Sequence, residues 1–347
     1  MHARMNEAKS DGVRKRPLTM VDIAKIAGVS IATVSRVLNN SKSVKNETKK
    51  QVLKVIEEVG YEPNEIAREL VTNTSRVIGL LIPDIMNNYY AEIISGIDEI
   101  ATKKGFTLLL YITNEDPKKT VTYINEMIRR RVDGLVLLSI ILNDNELIKK
   151  MKRSAAVVSV EADIDGIDRI GVDNEKGTYE VIRHLLNYGH KKIGFLGYQF
   201  HHHSLGQRLN GFKRAITDYG IEIQDEYIIE REPTGNPGYE MAKHILDLPE
   251  PPTAIHCMNE YIAEGVYLAV RERGMRIPED ISISSFDGLS ISRIMYPRLT
   301  TAAMPIRQMG ELAMEILFKN IEQRSAGVCK QIIVPVEFIP GESTIKV

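Results

Sequence analysis

Ile31, Ala32, Thr33, Ser35 and Arg36 make a short run in which one guanidinium sits among hydroxyls and small apolar groups. Hydroxyls can hold phosphate oxygens, a guanidinium can pair bidentately with a guanine edge, and small apolar groups can touch a thymine methyl. The same set on an all-helical domain would be an ordinary solvated face, and helical spacing alone leaves both readings open. Elsewhere the search for chemistry excludes more than it finds. There is no Gly-rich phosphate loop ending in Lys-Ser, no Gly-x-Ser-x-Gly elbow and no His-Glu-x-x-His pair, so no enzyme is expected. His201, His202 and His203 are consecutive and cannot converge from one helix face, and no second cluster has ligand spacing, so no metal site is expected. The two cysteines, Cys257 and Cys329, lie in apolar surroundings and read as buried free thiols.

The elements that must position the run can be read from its flanks. Thr19, followed three places later by Asp22, can cap a first helix, whose buried face carries Ile23, Ile26 and Ala27. Gly28 stops that helix, because a residue without Cβ takes positive φ at little cost. Ser30 starts a second helix, where Val34, Val37 and Leu38 bury and the opening run is left outward. Two short helices about a tight turn make a helix-turn-helix, whose second helix fits the major groove. A third helix is predicted over Asn46 to Val59, with Val52, Val55, Ile56 and Val59 closing a small core. Lys45 precedes it, a poor capping residue unless Asn46 takes the role. The stretch from Asn64 to Val71 can make only two helical turns and should order only when packed.

The chain has 347 residues, enough for two or three domains, and its net charge of -1 hides an asymmetry. Residues 1–75 hold 13 Lys+Arg against 9 Asp+Glu, which leaves 32 against 37 in the remainder. The first quarter is the part suited to a polyanion. No apolar run approaches the roughly 20 residues that cross a bilayer, and the polar start lacks the apolar segment of a secretory signal. A cytoplasmic protein with no membrane partner is expected.

From Arg76 onward, strands alternate with helices. Val77 to Ile82, Phe106 to Ile112, Gly134 to Ile140 and Ala155 to Val160 read as fully buried strands. Later strands are predicted at Lys192 to Gly197, Thr253 to Met258, Ile281 to Phe286 and Gln331 to Phe338. Such a rhythm gives parallel sheets with helices on both faces and ligands at the carboxyl ends of the strands. About 270 residues exceed one such sheet, so two lobes with a cleft are expected.

The string Gly28-Val29-Ser30-Ile31-Ala32-Thr33-Val34-Ser35-Arg36-Val37-Leu38-Asn39 closely resembles the signature of the LacI/GalR family of bacterial transcription regulators. Gly171-Val172-Asp173-Asn174 through Gly177, followed by Gly189-His190-Lys191-Lys192-Ile193-Gly194-Phe195, resembles a further signature of that family. The likeness implies an all-α three-helix DNA-binding domain over 19–62, after a disordered extension at 1–18. It implies a hinge helix and linker over 63–75, and over 76–347 a two-lobed α/β effector domain like type I periplasmic binding proteins, with doubly wound parallel sheets. The lobes are expected at 76–163 with 291–324, and at 164–290 with 325–347, with crossings near Asp163, Ser290 and Arg324.

By the same likeness Ile31, Ala32 and Arg36 meet base edges, and Thr19, Ser30, Thr33, Ser35, Asn39 and Thr48 hold phosphates of a palindromic double-stranded operator. Asn64, Ala67 and Leu70 belong to the hinge in the minor groove, where Leu70 wedges between base pairs. In the cleft the expected effector residues are Asn87, Tyr89, Tyr90, Glu161, Arg208, Asn259 and Asp287, suited to a sugar or sugar derivative by aromatic stacking, amides and a guanidinium between carboxylates. Asp173, Asn174 and His190 are expected to serve turns and caps instead. The resemblance implies a homodimer, with Tyr89 to Lys104 and Ile306 to Ile321 at its contact, and no cofactor beyond the small-molecule effector. Control by a phosphorylated partner protein, as in the catabolite-control branch of the family, is the alternative.

Overall fold

In the computed structural model the described residues are 18–38, 43–61, 74–198, 203–232, 235–323 and 329–347. Expectations for Asn39, Asn64, Ala67, Leu70, His201 and His202 and residues 1–17 fall outside them. The chain divides into one unit at Met1–Ser75 and a second at Arg76–Val347.

The first unit holds helices α1 (Met20–Ile26), α2 (Ile31–Leu38) and α3 (Asn46–Val59). Thr19 and Asp22 form the expected reciprocal cap, each side chain meeting the other residue's backbone N–H. Gly28 has φ 64°, and the Ala24 carbonyl accepts from the Val29 N–H across the turn. Ile23, Ala24, Ala27, Val34, Val37, Val52 and Tyr61 form the buried core. Ile26, expected inside, is 54% exposed. At about 100° per residue it lies roughly 200° from Ala24, which takes the inner position beside Ile23 and Ala27. The cap of α3 is left unmade, because the Lys45 side chain makes no capping hydrogen bond and Asn46 is already helical.

The second unit contains two six-stranded sheets. The first, in the order β11-β5-β4-β3-β1-β2, contains β1 (Val77–Ile82), β2 (Thr107–Ile112), β3 (Gly134–Leu138), β4 (Ala156–Val160), β5 (Asp168–Val172) and β11 (Gln331–Val334). Its pairings are parallel, and α4 (Asn88–Lys103), α5 (Pro117–Arg129) and α6 (Asn145–Ser154) connect its strands. The second, in the order β12-β10-β9-β8-β6-β7, contains β6 (Ile193–Tyr198), β7 (Ile228–Arg231), β8 (Ala254–Cys257), β9 (Ser282–Asp287), β10 (Thr300–Ala303) and β12 (Glu337–Ile339), with β12 antiparallel to β10. Its helices are α7 (Asn174–Asn187), α8 (His203–Asp218), α9 (Pro237–Leu246), α10 (Glu260–Glu272) and α11 (Ser290–Ile294), while α12 (Ile306–Gln323) packs on α4 and on the first sheet.

This membership corrects several expectations. The chain passes between sheets after Val172, after Ala303 and after Val334, and not near Asp163, Ser290 and Arg324. The lobes therefore hold β5 and β11 with the first sheet and β10 with the second. Strands β5, β7 and β10 are short and mixed in character, so hydrophobic pattern did not reveal them. The run from Gln331 to Phe338 is two strands in different sheets, broken at Pro335, which has no N–H to continue a ladder. Strand β2, expected fully buried, is an edge strand with half-exposed residues, and of the two thiols expected inside, Cys257 is buried while Cys329, just before β11, is exposed.

Candidate functional site

Two surfaces carry the candidate chemistry, one in each unit. On α2, Val34 and Val37 are buried while Ile31, Ala32 and Arg36 are exposed, with Thr33 and Ser35 half-buried between them. Ile31 is 47% exposed, an aliphatic group presented to solvent from a helix with an otherwise sharp division of faces. The Ser30 hydroxyl accepts the Thr33 N–H at 3.1 Å and lies 2.9 Å from the Thr33 hydroxyl, so the expected phosphate contacts also start the helix. Thr19 is exposed, its hydroxyl donating to Asp22 at 2.7 Å, and Thr48 is half-buried in the first turn of α3. The Gln51 amide donates to the Ala27 carbonyl at 2.9 Å and so ties α3 to the turn, a role its position in a charged helix did not reveal.

In the second unit a cleft of about 650 Å³ lies where the strands of both sheets end. All seven expected effector residues line it: Asn87, Tyr89, Tyr90, Glu161, Arg208, Asn259 and Asp287. The geometry follows from the βα rhythm, since each group lies at or just past the carboxyl end of a strand or in the first two turns of the following helix. Asn87 and Asn259 also cap α4 and α10, accepting the N–H groups of Tyr89 and Ile262 at 3.0 Å each. Lining residues the sequence reading missed include Asn114, Glu115, Ser139, Tyr198 and Tyr261. The strand-end rule applied to β2, β3 and β6 would have found the first four.

The cleft floor is a connected polar chain. Glu161 accepts the Val172 N–H at 2.9 Å and the Asn174 amide at 2.8 Å; Asn174 in turn accepts from Arg208 Nε at 2.8 Å. Arg208 Nη1 donates to the Met258 carbonyl at 2.7 Å and to Asp287 at 2.9 Å, and the guanidinium lies over the Phe286 ring at 3.8 Å. Asn174, expected as a turn or cap residue, is instead the buried bridge between Glu161, just past β4, and Arg208 on α8. Asp173 is a cap, accepting the Lys176 N–H as expected, whereas the His190 side chain, also expected in a turn or cap, instead joins Thr253 to the Ile345 carbonyl across distant stretches of chain.

Burial dominates the electrostatics. It lifts the Asp287 carboxyl to about 6, against the opposing pull of Arg208. Glu260, whose carboxylate accepts the Gly288 and Leu289 N–H groups at 2.9 Å each, is pushed up to about 8 by burial and then by Asp287. Gly288 has φ 74°, and a Cβ there would lie 2.3 Å from that of Ala303. Five lining residues, Asn114, Glu115, Ser139, Glu161 and Asp287, hold φ between 50° and 112°, so the backbone turns sharply at strand after strand where it enters the cleft.

Among the described residues no three His, Cys, Asp or Glu side chains are grouped to hold a metal ion, and no helix is long and apolar enough to cross a membrane.

Comparison with known proteins places both units. Residues 19–64 match the family model described as bacterial regulatory proteins, lacI family, and residues 75–342 match that of periplasmic binding proteins and the sugar binding domain of the LacI family. The chain is similar to catabolite control protein A of Priestia megaterium, at 33% identity over 89% of this chain and 94% of that protein. In structure it is similar to the Lac repressor dimer bound to operator and an anti-inducer, with a TM-score of 0.83, 25% identity and coverage of 95% of this chain and all of that one. It is also similar to a LacI family regulator from Enterococcus faecium with bound ribose, with a TM-score of 0.71, 28% identity and coverage of 78% and 99%.

Proposed function

Since the chain belongs to the lacI family of bacterial regulatory proteins and is a DNA-binding transcriptional regulator, we propose that it acts as a homodimeric repressor whose grip on a palindromic operator is set by a sugar or sugar derivative held in the cleft. Recognition helix α2 enters the major groove of each half-site. Arg36 pairs with a guanine edge, and Ile31 and Ala32 make apolar contacts such as those to a thymine methyl. The observation that carries the reading is the division of α2, with Ile31, Ala32 and Arg36 outward and Val34 and Val37 buried, in a chain that also has a polar cleft at its strand ends.

Effector binding changes the relation between the lobes. Glu161 belongs to the first sheet, and Asn174 and Arg208 to helices of the second, so an occupant of the cleft touches both sides of a hydrogen-bonded seam. A ligand that prefers one arrangement shifts the population toward it. The helices α4 and α12, packed on each other with Arg307 donating to Ser95 and paired with Glu99, supply the dimer contact.

The test is selection of genomic fragments by the purified chain, followed by binding titrations with and without candidate sugars. The expected result is enrichment of a symmetric site whose affinity changes with one sugar. No preference for any genomic fragment over random duplex would overturn the reading. The resemblance to catabolite control protein A favours a second control mechanism by a partner protein, expected if an operator is found and no small molecule alters its binding.

A further inference from the structure

We infer that the cleft selects its ligand by charge, accepting a neutral or amine-bearing polyhydroxy compound and rejecting phosphorylated or carboxylated relatives. The inference rests on the proposed sugar-binding reading and narrows it. Among the described lining residues, Asp84, Glu115, Glu161, Glu232 and Asp287 are acidic and Arg208 is the single cation. That cation is already committed, since Asp287 lies 2.9 Å from it and the Met258 carbonyl and Asn174 take two more of its N–H bonds. Nε and Nη1 are thus spent inside the protein, and Nη2, with only the Met304 sulfur at 3.8 Å among the described residues, is what Arg208 keeps for a ligand, beside the carboxylate that already balances its charge. Glu161, held by the Val172 N–H and the Asn174 amide, fixes a carboxyl group at the floor. Asp84, Glu115 and Glu232 add like charge around the rest of the cleft, so an entering phosphate meets a negative field in a concave, partly dehydrated space.

The usual compensation for an anion is also reduced. Where α4 and α10 begin at the cleft, the Asn87 and Asn259 side chains already take one N–H each, those of Tyr89 and Ile262. A second feature points to a hydrogen-bonding ligand. Tyr89 lines the cleft with a side chain only 6% exposed, and its buried hydroxyl has no hydrogen-bond partner among the described residues. Its electrostatic neighbours are Glu161, Asp287 and Arg208. A ligand hydroxyl there can accept from Tyr89 and donate to a carboxylate, and an ammonium can donate to the carboxylates; a phosphate or carboxylate has no proton to donate.

The experiment is titration calorimetry on the full chain at pH 7.5 with matched sets: glucose, glucosamine and glucose 6-phosphate; galactose, galactosamine and galacturonate; ribose and ribose 5-phosphate. At least one neutral or amino member is expected to bind, with its anionic counterpart weaker by about tenfold or more. In the variant Asp84→Asn/Glu115→Gln/Glu232→Gln that gap should narrow by severalfold. A phosphate or uronate that binds the unaltered chain as tightly as its parent overturns the inference and leaves the sugar reading standing. So does a gap that the variant leaves unchanged. If no member binds, the sugar reading itself fails, and the charge inference falls with it.

Discussion

On α2, Ile31, Ala32 and Arg36 stand out beside two buried valines that are their neighbours in sequence, whereas Glu161, Arg208 and Asp287 reach the cleft from widely separated stretches and are themselves buried, with Asn174 bridging two of them from behind. The first surface is written on one helix and leans on the core only through its back. The second is woven into the core, so each polar group there also satisfies another buried group. Residues of α2 can therefore change what the protein recognises without changing whether it folds, while cleft residues couple recognition to stability.

Removing the guanidinium in Arg208→Ala should break this contrast most visibly. It strands Asp287 and Asn174 in a buried site, and a loss of about 3 to 5 kcal/mol in urea denaturation is expected. Arg208→Met/Asp287→Leu should recover part of that loss because no lone charge remains. Equal stability of Arg208→Ala and the unaltered chain would show that the seam is not load-sharing. On the other surface, Arg36→Ala should cost about 1 to 3 kcal/mol in operator binding and relax preference at one base pair per half-site, with the denaturation midpoint unmoved. Uniform weakening on every duplex would make Arg36 a phosphate anchor instead.

A pH series sharpens the comparison further. Glu260 has a folded value of about 8 against an ordinary 4.5, so the folded chain holds its proton more tightly than the unfolded chain does. An acid raised in this way contributes stability that is lost as pH rises through the folded value. His184, His190 and His256 are shifted downward by burial and push the other way, but only below their ordinary 6.5. Between pH 6.5 and 8 the midpoint should therefore decline, and Glu260→Gln should flatten that decline. The smallest effect expected is a gain. Lys45→Ser supplies the missing cap of α3 and should add about 0.5 to 1 kcal/mol to the first unit, read as a higher thermal midpoint.

The capped helix at Thr19, the turn at Gly28 and the outward set on α2 were legible because their causes lie within a few residues of one another. So were most strands and the helices between them, since each is announced by a local period. The seven cleft residues were found partly by the strand-end rule and partly by family likeness, and the structure gathers them all. Asn174 was misread because its position at a helix start has a local explanation, and only the approach of Glu161 and Arg208 gives it another.

Local order along the chain thus determined most of the segments that are helix or strand, where α2 turns its unburied face, and that a parallel two-lobed body follows. Tertiary structure alone decided which sheet takes β5, β10 and β11, where the chain crosses between lobes, and which partner each buried polar group finds. Hydrophobic period reports that a strand is buried and carries no record of its neighbour. Burial in turn sets the charge of Asp287 and Glu260, because desolvation depends on everything packed around a group and not on the residues beside it in the chain.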